Sequence, residues 1–120
     1  MKIAVHSPEN FKIAEVISEE IVIKNVEDGL DLIGDLYYQE YDRIIIHSKN
    51  ILPEFFDLKN GIAGEILQKF SNYRLRLVIL GDFSGFTNKS IRDFIYESNR
   101  GKQINFATTI SQAIQSLSTP

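Results

Sequence analysis

The stretch that most constrains this chain is residues 43–64, RIIIHSKNILPEFFDLKNGIAG. Successive side chains of a strand point to opposite faces, so the run Ile44, Ile45, Ile46 demands burial on both. The polar residues His47, Ser48 and Lys49 then emerge together, followed by an irregular loop with Pro53, Phe55, Phe56 and Asp57 and a helix start at Asn60-Gly61. Open α/β sheets place ligands at the carboxyl edge of such buried strands. Residues 75–80 repeat the apolar pattern and predict a second buried strand.

Around these two strands the periodicity alternates. Residues 2–7 and 12–17 are β-rich runs separated by Pro8-Glu9-Asn10, the signature of a hairpin. Ile21, Val22 and Ile23 are expected to extend the sheet briefly. Asn25 is a good N-cap for a helix running to about Gln39, with Val26, Leu30, Ile33 and Tyr37 at helical spacing and Leu32 and Leu36 beside them. Gly29 and Gly34 weaken that helix, and close packing on the sheet is the expected compensation. A helix over 60–70 places Ile62, Ile66 and Phe70 on one stripe. Another, capped by Thr87 or Ser90, carries Ile91, Phe94, Ile95 and Ser98 inward and stops at Gly101 in a left-handed turn. A last strand over 103–107 and a capping box at Thr109-Ile110-Ser111-Gln112 complete the chain. The predicted class is α/β, a mixed sheet flanked by helices in the order ββ(β)αβαβαβα, as one domain over residues 1–120.

Composition narrows the functional classes. A chain of 120 residues with 43% hydrophobic side chains buries about two-thirds of its unfolded surface. It has no cysteine, which excludes disulfides, thiolate nucleophiles and zinc–thiolate sites. No apolar run reaches the roughly 20 residues of a membrane span, and Lys2 to His6 turns polar too early for a signal peptide. The expectation is a cytoplasmic protein that engages neither membrane nor nucleic acid, the net charge of −3 arguing against a duplex binder. Residues 1–60 carry 12 acidic and 6 basic side chains, residues 61–120 carry 4 and 7. Such halves permit a homodimer, but in one compact domain complementary solvated faces are the more frequent explanation and the favoured reading.

Four residues mark a candidate ligand site: His47, Asp57, Gly61 and Asp82. An imidazole held by Asp82 after the neighbouring strand is a potential general base. The structural alternative has His47 bonded to the 48–58 loop backbone and Asp82 stabilising its own turn. Gly61 opens a helix whose free amides suit an anion, without a phosphate-loop motif to support it. The only histidines, His6 and His47, lack metal-ligand spacing, so no metal and no cofactor are expected. Ser48, Ser84 and Ser90 lack a nucleophile-elbow context, and no residue is assigned a catalytic role. Glu27, Asp31 and Asp35 form an acidic stripe suited to a solvated helix face.

The order of elements and the strand–loop–helix of 43–70 resemble the STAS fold of sulfate transporters and anti-sigma-factor antagonists. The segments IIIHSKN, PEFFDLKNGIAGEILQKFSNY and GDFSGFTNKSIRDFIYESNRG resemble, more specifically, an uncharacterised bacterial family of domains of unknown function. The STAS likeness implies a non-catalytic regulatory or interaction module with a protein or small-molecule partner. Antagonists of that kind carry Asp-Ser-Ser-Gly-hydrophobic-Gly at the helix start, where a kinase phosphorylates a serine. Aligning on Gly61 puts Lys59 and Asn60 at the two serine positions, and Asp57 falls one residue early. The resemblance therefore implies the module without its phosphoacceptor. The alternative is a small enzyme or ligand binder at the carboxyl edge around His47, Asp57 and Asp82.

Overall fold

The computed structural model describes all residues, 1–120. Strands β1 (Lys2–His6), β2 (Ile13–Ile17), β3 (Arg43–His47), β4 (Arg76–Leu80) and β5 (Ile104–Ala107) form one sheet in chain order. The hairpin β1–β2 is antiparallel, and every later neighbour is parallel. Helices α1 (Val26–Tyr38), α2 (Ile62–Asn72) and α3 (Lys89–Asn99) make the parallel crossovers, and α4 (Ile110–Leu117) follows the last strand.

Burial of both faces of β3 follows from this winding. Ile44 and Ile46 belong to the larger core, with Leu32, Ile33 and Leu36 of α1, Ile66 and Phe70 of α2, and Phe94 and Ile95 of α3 packed on it. Ile45 faces the other way, in a smaller cluster with Ile13, Val78, Leu80 and Ala107 that Ala113 and Leu117 of α4 cover. Three helices thus lie on one face. The short α4 lies on the other, packed on β4 and β5.

Several local expectations are corrected. The optional third strand shrinks to a single bridge between Ile23 and Ile51. The buried stripe of α1 is Gly29, Leu32, Ile33 and Leu36, leaving Leu30 and Tyr37 exposed, because α1 packs along α2 as well as on the sheet. Gly29 packs closely against α2: a Cβ there would lie 3.3 Å from two carbons of Ile66, tighter than ordinary contact, whereas nothing crowds Gly34. α2 starts at Ile62 after Gly61, whose φ of 82° is left-handed, and Asn60 Oδ1 accepts from the Ile62 amide. Asn88, rather than Thr87 or Ser90, caps α3 through the Ser90 amide.

Gly101 does not take the left-handed conformation. Instead the Asn105 amide donates to the Ser98 and Gly101 carbonyls, so side-chain bonds satisfy the helix end. In α4, Thr109 Oγ1 accepts from the Gln112 amide as expected, but Gln112 Oε1 reaches back to Thr108.

α1 and α2 leave for their strands through matching turns. The Tyr41 amide donates to Leu36 O and the Leu75 amide to Phe70 O, while Glu40 and Arg74 adopt left-handed φ of 69° and 58°. This is the Schellman geometry built without glycine, with buried C″–C3 pairs Tyr41–Leu36 and Leu75–Phe70.

Candidate functional site

The loops after β3 and β4 meet at the carboxyl edge of the sheet. Their meeting requires Gly81, where a Cβ would overlap Ser48 Oγ and lie 2.8 Å from Ser48 Cβ. The first loop folds into three short 3-10 turns, Ser48–Asn50, Pro53–Phe56 and Leu58–Asn60. Between it and residues 85–91 lies a cleft of about 720 Å3.

The cleft is built on an aromatic cluster that continues from the core. Buried Phe106 stacks edge-on against Phe83 at 5.3 Å, Phe83 lies 5.9 Å from Phe86, and Phe86 lies 5.2 Å from Phe56. Phe56 in turn packs edge-on against buried Phe55 at 5.0 Å. Asp57, Leu58 and Lys59 form one wall, and Thr87, Asn88 and Ser90 the other, with Ile91 buried below. Rings held at both ends by buried partners give the cleft a fixed apolar base beneath polar sides.

A separate constellation lies on the α4 face of the sheet. Glu15 stands opposite Ala4 on β1 and beside Ile45 on β3. His6 and His47 each sit two residues along from those neighbours, on the same face. His6 Nε2 is 2.8 Å from Glu15 Oε1, and His47 Nε2 is 2.7 Å from Glu15 Oε2. One carboxylate thereby links three strands. Burial pushes the Glu15 carboxyl up, but the hydrogen bonds and attraction of His6 and His47 outweigh it and hold the group below its ordinary 4.5. No three His, Cys, Asp or Glu side chains are placed to hold a metal ion.

The sequence candidates therefore separate. His47 is bonded to Glu15 rather than to the loop backbone or Asp82. Asp57 lines the cleft. Gly61 serves the left-handed entry to α2 and does not line it. Asp82 is exposed and accepts from the Ser84 amide at 3.0 Å, a bond that lowers its carboxyl pKa. Glu15 and His6 are the residues that sequence reasoning missed. The signal was an acid inside the apolar run Ile13-Ala14-Glu15-Val16-Ile17, since a carboxylate in a buried strand needs partners.

Fold and cleft together define an α/β protein with a mixed five-stranded sheet and a loop-built cleft at its carboxyl edge. Residues 8–117 match the family described as Domain of unknown function (DUF4180), and the chain belongs to that family. No curated protein and no solved structure matches it.

Proposed function

We propose that the protein is a STAS-like, non-catalytic binding module that receives a small molecule or protein partner in the carboxyl-edge cleft. The STAS-like assignment is supported by the parallel strands β2 to β5 laid down in chain order, with three crossover helices on one face and an antiparallel edge strand. The observation that carries the module reading is the separation of cleft from acid–base chemistry. Both histidines turn to Glu15 on the α4 face, and the only ionisable groups lining the cleft are Asp57 and Lys59. General acid–base catalysis needs a positioned proton donor or acceptor of suitable pKa against the substrate. A regulatory phosphorylation at the α2 start has no acceptor, because residues 57–64 contain no hydroxyl.

Native mass spectrometry of the protein with whatever co-purifies, followed by amide shift mapping, tests this function. The expected result is a complex that perturbs residues 53–59 and 85–91, is lost in Phe86→Glu and survives in His47→Gln. A complex or a turnover activity abolished by His47→Gln but indifferent to Phe86→Glu favours the small enzyme around His47 instead.

A further inference from the structure

The polar sides of the cleft carry hydrogen-bonding capacity that the protein leaves unused. Asp57 and Lys59 both line it, are exposed, and form no ion pair with each other or with any other residue. On the facing side Asn88 spends Oδ1 on the Ser90 amide, while its NH2 and the Ser90 hydroxyl bond nothing in the protein. Below them lie the half-buried rings of Phe56 and Phe86.

This combination discriminates among ligands. A simple anion meets Lys59 but is repelled by Asp57, and a simple cation meets the reverse. An uncharged ligand gains from neither charge. A small zwitterion satisfies both, and an apolar side chain on it covers the aromatic base. A volume of about 720 Å3 lies within the range of small-ligand clefts.

We infer that the cleft binds a free α-amino acid with an apolar or aromatic side chain: ammonium at Asp57, carboxylate at Lys59 and the Ser90 hydroxyl, side chain over Phe56 and Phe86. The assignment rests on the binding-module reading and names its ligand class.

The chain contains no tryptophan, so added L-tryptophan is its own fluorescent reporter. Saturable binding is expected, with displacement by L-phenylalanine and L-leucine. Phenethylamine and 3-phenylpropanoate, each lacking one charge, are expected to bind at least about tenfold more weakly, the scale of one lost charge-assisted contact. Glucose is expected not to compete. Asp57→Asn should weaken tryptophan about tenfold and leave 3-phenylpropanoate unchanged or tighter, and Lys59→Met should do the converse with phenethylamine. Both positions are exposed, so the fold is retained and circular dichroism verifies it. The inference is overturned by no saturable binding at millimolar amino acid, by singly charged analogues binding equally well, or by indifference to both substitutions. If amino acids fail while a protein partner still perturbs the cleft amides, the ligand class falls and the module stands. If neither engages the cleft and turnover depends on His47, both fall.

Discussion

Glu15 Oε2 lies 2.7 Å from His47 Nε2, tying the middle of β2 to the end of β3 by a side-chain bond across the sheet surface. The second oxygen of the same carboxylate takes His6 of β1 at 2.8 Å. An acid placed in an apolar strand is thus a fastening for the edge hairpin. Removing it leaves two imidazoles facing a group that no longer compensates them.

Glu15→Gln is therefore expected to lower stability by about 1.5–3 kcal/mol, the range for hydrogen bonds to a charged group, read from urea midpoints near pH 7. The pH dependence has a definite sign. The folded carboxyl lies below its unfolded value of 4.5, so its contribution is full above that value and disappears as pH falls through the folded pKa. Wild type and Glu15→Gln should converge in acid. A gap that stays constant from neutrality down to acid unfolding contradicts the assignment.

Gly81→Ala should destabilise by about 1–3 kcal/mol through overpacking against Ser48. The double variant Gly81→Ala, Ser48→Gly should recover much of that loss, because the clashing Oγ and Cβ are both gone. Additive losses in the double-mutant cycle would show that the clash is not the cause.

Glu40→Gly and Arg74→Gly are expected to stabilise, each by about 0.5–1 kcal/mol. The left-handed conformation costs an ordinary residue about 1–2 kcal/mol, and glycine's greater unfolded-state entropy returns part of it. Glu40→Ala should bring no gain. Thermal midpoints distinguish the three.

Ile45→Ala and Ile79→Ala should each cost about 2–5 kcal/mol. Both side chains are fully buried, Ile45 in the α4 cluster and Ile79 in the larger core. Equilibrium urea unfolding measures the loss, and midpoints equal to wild type would remove the buried-strand assignment.

Arg76→Met should loosen the end of the chain. The guanidinium donates to the carbonyls of Lys102, Ser116 and Thr119 at 3.0, 2.9 and 2.6 Å. Losing these bonds should cost about 1.5–3 kcal/mol and raise amide exchange in α4 selectively. Exchange raised equally across the sheet would argue against a local pin.

What the sequence determined by itself is the part governed by local period. Three isoleucines in a row need two covered faces wherever they sit, and Asn25 and Thr109 hold caps because a short side chain satisfies a helix amide locally. The hairpin, the buried strands and four helices follow from such short-range rules. The α1 stripe was legible only in part: periodicity offered adjacent faces, and the presence of α2 beside Gly29 chose between them. Gly101 escaped for a similar reason, since Asn105, arriving from the next strand, took over the carbonyls a left-handed glycine otherwise serves. The histidines show the limit most clearly. His6, Glu15 and His47 are 9 and 32 residues apart along the chain, and strand order and register alone bring them onto one face. Phe56 and Phe86 likewise belong to different loops, which approach each other where Gly81 leaves room for Ser48. Hydrogen bonds and ring contacts act over a few ångströms, so their partners are fixed by topology, which local pattern does not encode.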